Sequence, residues 1–130
     1  MIREVSLKRQ KPKVFILPDH EKIVESLVSL MMPFEKSFDG VLQAVSEVCA
    51  QKHFTCRRAD NFWEQDLILQ DIVTLIDKSR IVICDCTGRN PNVFYEIGIA
   101  HTLGRDVILI TQNNEDVPFD LRHLLYIRNV

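Results

Sequence analysis

A chain of 130 residues is the size of one domain, long enough to bury roughly two-thirds of its unfolded surface. Its 46% hydrophobic content and net charge of -2, with acids and bases interspersed, describe a soluble globular protein with no surface suited to nucleic acid. No apolar run approaches the ~20 residues of a membrane span, and the opening Met1-Ile2-Arg3-Glu4-Val5 lacks a signal-peptide pattern, so no membrane association is expected.

Residues 1–25 read as an N-terminal arm or an extra strand. The basic stretch from Lys8 to Lys13 suits a solvated arm, and Lys13-Val14-Phe15-Ile16-Leu17 is a short apolar run stopped by Pro18. From residue 26 to 130 a single domain is expected. Glu25 to Met32 reads as a strand ended by Pro33. Ser37 or Asp39 then opens a helix whose inward stripe is Phe38, Val41, Leu42, Val45, Val48 and Cys49. Phe54 to Arg58 is the next strand, followed by the loop Ala59-Asp60-Asn61. A second helix is predicted from about Glu64 to Ser79, with Ile68, Ile72, Leu75 and Ile76 facing inward.

Arg80-Ile81-Val82-Ile83-Cys84 is a β-branched run that reads as a buried strand ending at Asp85. Thr87-Gly88-Arg89 is a turn, and Asn90-Pro91 marks a helix start with Asn as N-cap and Pro at the first helical position. Val93, Ile97, Ile99, Ala100 and Leu103 form one apolar arc of that helix. Glu96 falls inside the arc, away from Tyr95 and Thr102 on the wet face. A carboxylate there must be neutral, paired or lining a cavity, unless the first turn frays and Glu96 reaches water. Asp106 to Thr111 is a further strand, Gln112 to Asp120 a polar loop, and Leu124 to Arg128 a last strand. Short strands alternating with helices predict an α/β fold. It would be a small, doubly wound, flavodoxin-like sheet of five mainly parallel strands with helices on both faces.

In such a sheet the loops after successive strands converge at one edge. That gathers Met32-Pro33-Phe34, Arg58 with Asp60, and Asp85 to Asn92 around Glu96. Gly88 belongs to the turn. Asparagines Asn90 and Asn92 offer donors and acceptors to sugar hydroxyls or a base edge, although Asn90 also suits a cap. Phe34 and Tyr95 could stack on a planar ring, and Phe34 equally suits a core. Gly98 reads as a close-packing position and His101 as exposed. No Gly-x-Gly-x-x-Gly or Walker loop occurs and no His/Cys/Asp cluster has metal-ligand spacing, so no cofactor and no metal are expected. Cys49, Cys56, Cys84 and Cys86 form no CxxC pair, which fits reduced thiols and a cytoplasmic location.

Four segments together resemble a known family: Met32-Pro33-Phe34 with Phe38; Arg58-Ala59-Asp60; Asp85-x-Thr87-Gly88-x-Asn90-Pro91-Asn92-Val93-Phe94-Tyr95-Glu96-x-Gly98-x-Ala100; and Pro118-Phe119-Asp120-Leu121. Across about residues 26 to 128 the chain is similar to the nucleoside 2-deoxyribosyltransferase-like superfamily. It is closer still to a bacterial subgroup of nucleotide-binding, TIR-like domains. The resemblance implies an N-glycosidase or transferase acting on a small-molecule nucleoside, nucleotide or NAD-like substrate. Glu96 would be the nucleophile, and Asp85 would position substrate or protonate the leaving base. Met32, Pro33, Phe34, Arg58, Asp60, Gly88, Asn90, Asn92 and Tyr95 would contact substrate. It also implies a homo-oligomer, dimer or higher, in which a neighbouring subunit completes the pocket. Asn90 stands where the transferases usually carry an acid. The alternative is a non-catalytic nucleotide-sensing module within a larger signalling or defence protein.

Overall fold

A computed structural model describes residues 14–16, 23–58, 68–122 and 126–128. In chain order its elements are β1 (Val24–Met31), α1 (Asp39–Gln51), β2 (Thr55–Arg58), α2 (Ile68–Lys78), β3 (Ser79–Asp85), α3 (Pro91–Thr102), β4 (Asp106–Thr111) and β5 (Tyr126–Arg128). Single 3-10 turns precede α1 at Lys36–Phe38 and follow β4 at Asn114–Asp116 and Phe119–Leu121. The sheet runs in the order β2-β1-β3-β4, with the short β5 against β4, and every pairing is parallel. This α/β architecture with a flavodoxin-like strand order agrees with the alternation of β-branched runs and amphipathic helices in the sequence.

Side chains alternate between the two faces of each strand, and the core divides accordingly. Met31, Val82, Cys84 and Leu109 meet α2 and α3 through Ile72, Val73, Ile76, Val93, Ile97 and Ala100. Val28, Leu30, Met32 and Ile110 lie on the other face, against Phe38, Val41, Val45 and Cys49 of the α1 side. The middle strands are apolar on both faces, as expected of a sheet covered twice. β3 sits between β1 and β4, with Ile83 opposite Leu30 on one side and Ile108 on the other.

Several expectations need adjustment. Val48 is 56% exposed, because α1 touches only one sheet face and its inward stripe is narrower than the apolar arc of the sequence. Leu42 is only partly buried, whereas Val73, absent from the predicted stripe of α2, is fully buried. Ser79 opens β3 and does not close α2; its hydroxyl donates back to the Leu75 carbonyl at 2.6 Å. Residues 14–16 form a bend, not a strand. The predicted start of α2 at Glu64, the loop Ala59 to Asn61 and most of the N-terminal arm lie outside the described residues.

α3 ends where the sequence places Gly104, at φ +72. The Gly104 N–H donates to the His101 carbonyl and the Arg105 N–H to the Ala100 carbonyl, both at 3.0 Å, which closes a Schellman motif. Gly98, in contrast, is exposed, and a β-carbon there would meet nothing within 4 Å. It therefore serves no close helix–sheet packing.

The division between core and surface is testable by urea denaturation. Leu109→Ala, at a 1%-exposed position in β4, should lose about 2–5 kcal/mol through burial and cavity terms. Val48→Ala should stay within about 0.5 kcal/mol of the parent protein.

Candidate active site

The loops after β1 and β3 leave the sheet on opposite faces, one leading to α1 and the other to α3. In a parallel sheet of this order the two diverging loops leave a crevice between the carboxyl ends of β1 and β3. Local chemistry builds each wall.

Asp85 ends β3 and is 1% exposed. One carboxylate oxygen accepts the Thr87 N–H at 2.9 Å, the side-chain-to-backbone bond that starts a tight turn. The turn closes through the Arg89 N–H to the Cys86 carbonyl at 3.1 Å, with Gly88 at φ +82, a conformation that suits glycine. Asn90 then caps α3, its side-chain oxygen accepting from the Asn92 and Val93 N–H groups at 2.9 and 3.4 Å. Pro91 occupies the first helical position, where its missing N–H costs nothing. Each of these features follows from the local sequence.

Glu96 lies one turn and a half into α3 and is 4% exposed. Its neighbours along the helix face are Val93, Ile97 and Ala100, all buried. Oε2 is buried and finds no hydrogen-bond partner among the described residues. Desolvation pushes the carboxyl pKa up to about 7. The helix N-terminus does not offset this, because dipole effects fade beyond the first turn and Glu96 is the sixth helical residue. The same carboxylate acts on the buried Cys84 thiol, which is held well above its ordinary range first by burial, then by the charge of Glu96 and then by that of Cys86. Glu96 therefore overlies the carboxyl end of β3.

The remaining site residues divide between the walls. By strand alternation Asp85 faces the α1 side with Ile81 and Ile83, while Glu96 approaches from the α3 side. Met32 and Pro33 are buried after β1. Phe34 is half-exposed, and one of its ring faces carries the Arg58 guanidinium, 3.9 Å from the ring centre. Gly88 and Asn92 are exposed at the rim. Tyr95 is exposed on the outer side of α3, where it lines a depression with Phe15, Phe94 and Gly98, turned away from the sheet. Asp60 lies outside the described residues.

Sequence reasoning missed a brace on the β3–α3 loop. Asp116 accepts the Gly88 N–H at 2.8 Å and pairs with Arg89 at 3.4 Å, and Arg89 also donates to the Glu115 carbonyl at 2.7 Å. The Thr87 hydroxyl accepts the Gln112 N–H at 3.0 Å. These contacts join positions 25 to 28 residues apart, so no local pattern announces them. Among the described residues no group of three or more His, Cys, Asp or Glu side chains could hold a metal ion.

No family model matches the sequence, and a comparison with curated proteins found no match. Among solved structures the chain is similar to the 2-desoxiribosyltransferase from Leishmania mexicana. The likeness has a TM-score of 0.59 at 12% sequence identity and covers 68% of this chain and 65% of that one. The two proteins share a fold over this span. At this identity the likeness speaks for the fold, and the chain spans just under two-thirds of that protein's length.

The burial of Glu96 has a measurable consequence for stability. Its folded-state pKa lies above the 4.5 of a freely solvated glutamate, so the native state binds the extra proton. Stability is thus greatest below that value and is lost as pH rises through about 7, with a penalty on the order of 3 kcal/mol for ionising the buried group. Glu96→Gln should raise the melting temperature more at pH 8 than at pH 5, as read by calorimetry at both values. A uniform loss at both would mean that the carboxylate has an unrecognised stabilising partner.

Proposed function

We propose that this chain breaks or transfers the N-glycosidic bond of a nucleoside, nucleotide or NAD-like molecule, with Glu96 at the reacting carbon. A buried carboxylate whose Oε2 has no hydrogen-bond partner among the described residues, in the switch-point crevice of a fold shared with a deoxyribosyltransferase, carries this reading. Carboxylates rarely sit among aliphatic side chains without a task that needs them there.

Cleavage at the anomeric carbon develops positive charge on the sugar ring, and the ionised Glu96 attacks or stabilises that carbon as the carbon–nitrogen bond breaks. Asp85, on the opposite wall, positions the substrate or delivers a proton to the departing nitrogen. Water then takes the sugar in a hydrolase, or a second base takes it in a transferase. Met32, Pro33 and Phe34 form the β1 side of the pocket, and Gly88, Asn90 and Asn92 lie along the β3–α3 rim. The Asn90 side-chain oxygen is already used as a cap, which leaves its NH2 group to donate to a substrate hydroxyl. The Asp85-to-Glu96 motif favours placement in the TIR-like nucleotide-binding subgroup.

The raised pKa of Glu96 also favours a second reading. A carboxyl that is about half neutral at pH 7 can bind a base or hydroxyl as a donor, which suits a silent nucleotide-sensing module. Chromatography of a nucleoside and NAD panel separates the two readings, since an enzyme releases free base and a sensor does not. For an enzyme, kcat/KM should climb with pH through about 7 as the nucleophile ionises. Glu96→Gln should lower turnover at least about a thousandfold, as expected when a covalent nucleophile is removed.

The same reading makes the protein a homo-oligomer whose neighbouring subunit covers the crevice. Phe119 is 83% exposed in the segment that follows β4, near the carboxyl edge of the sheet. Covering it in a subunit contact would remove a large apolar side chain from water. Light scattering should report a dimer or larger species, and Phe119→Glu should shift it toward monomer. A monomer at high protein concentration would count against this assembly.

A further inference from the structure

Arg58 is the last residue of β2, paired in register with Leu30 of β1. It lies two residues beyond Cys56, which packs against the α1-side core, so its side chain leaves the sheet on that same face. There its guanidinium rests on the ring of Phe34, the third residue after β1, at 3.9 Å. Stacking of this kind fixes the plane of the guanidinium and leaves its N–H edge free. Nε is shielded from water and has no hydrogen-bond partner, and no carboxylate pairs with Arg58 among the described residues. Among the described residues this partly desolvated guanidinium has no acid partner and an unsatisfied Nε. Its planar geometry matches a phosphate group, which can take two parallel N–H bonds.

The position of Arg58 relative to Glu96 indicates what the guanidinium could read. Leu30 pairs with Arg58 on one side and with Ile83 on the other, so Arg58 and β3 flank β1 at two strand spacings, roughly 10 Å apart. Arg58 and Asp85 belong to the α1 wall, and Glu96 belongs to the α3 wall. We infer that Arg58, held by Phe34, is the phosphate-reading residue of this crevice and that its ligand is a phosphorylated nucleoside. This rests on the reading of the crevice as a nucleoside site and narrows it to nucleotides.

The test is binding, measured by titration calorimetry on the full chain carrying Glu96→Gln so that no turnover intervenes. The probes are the four common ribonucleoside 5′-monophosphates, their nucleosides, NAD and inorganic phosphate. At least one monophosphate, or NAD, should bind about tenfold tighter than the matching nucleoside, with inorganic phosphate competing. Preference for the monophosphate assigns a phosphate monoester, and preference for NAD assigns a pyrophosphate. Arg58→Gln should abolish the difference between phosphate-bearing and bare probes, and Phe34→Leu, which keeps the charge but removes the stacking surface, should reduce it. Equal affinities for nucleotide and nucleoside, no binding of either, or a preference that survives Arg58→Gln would overturn the inference. This outcome is separable from the glycosidic reading. A protein that favours nucleotides yet never releases base keeps the phosphate site and loses the enzyme. One that releases base from nucleosides without phosphate preference keeps the enzyme and loses the phosphate site.

Discussion

The desolvated carboxylate of Glu96 is the constraint around which the rest of this structure is arranged. Ionising it in place costs on the order of 3 kcal/mol, which few small domains could absorb at several positions. The surrounding packing offsets it. Val93, Ile97, Ala100 and Leu103 on the same helix are all buried against β3 and β4, and each of the larger ones contributes about 1.5–3 kcal/mol by leaving water. The helix is therefore well anchored despite the charge in its apolar arc. The Asn90 cap and the Schellman closure at Gly104 fix its two ends, so Glu96 cannot escape to water by fraying.

Parallel topology determines how the other groups relate to Glu96. Because the loops after β1 and β3 diverge to opposite faces, the site has two walls of different character. The α3 wall buries apolar side chains around Glu96, with Asn90 and Asn92 at its rim. The α1 wall carries Asp85, the half-exposed Phe34 and the Arg58 guanidinium. The contacts of Asp116 and Gln112 with the Thr87-Gly88-Arg89 turn stiffen the link between them. The Arg89–Asp116 ion pair contributes little by itself, since the arginine is exposed. The backbone bonds from Gly88 and Gln112 matter more, because they restrain a turn that would otherwise be held only by its own residues. A rigid turn keeps Asp85 in one position relative to α3.

Legibility in the sequence followed the range of each interaction. The β3 strand, the Asp85 turn, the Asn90-Pro91 helix start and the burial of Glu96 all depend on residues within about one helical turn, so periodicity and cap chemistry disclose them. The inward stripe of α1 was overestimated at Val48 because periodicity describes an apolar arc and cannot say how much of it a neighbour covers. A glycine among the apolar residues of α3 suggests close packing, yet a β-carbon at Gly98 would meet only open space. The Asp116 brace and the Arg58–Phe34 stack were invisible for a different reason. Both join segments brought together only by strand order, and neither Asp116 in a polar loop nor Arg58 at a strand end is unusual on its own.

The ionisation state of Glu96 also follows from competition between effects that sequence cannot weigh. Burial raises its pKa, and the helix terminus is too far away to lower it again. For N-glycosidic chemistry this is not a defect. In the free protein the carboxyl is poised near neutrality, and its charged form is disfavoured by burial, with no partner for Oε2 among the described residues. When positive charge develops on a sugar ring against this wall, the missing partner is supplied by the transition state itself, in a site with little water to screen the pair. The desolvation penalty of the carboxylate then becomes a preference for the charged, bond-breaking geometry over the neutral substrate. A carboxylate already satisfied by a lysine or by backbone donors would hold no such preference, since it would interact nearly as well with its own protein as with the reacting sugar. The lack of a hydrogen-bond partner for Oε2 among the described residues is therefore the feature that connects the packing of α3 to the proposed reaction.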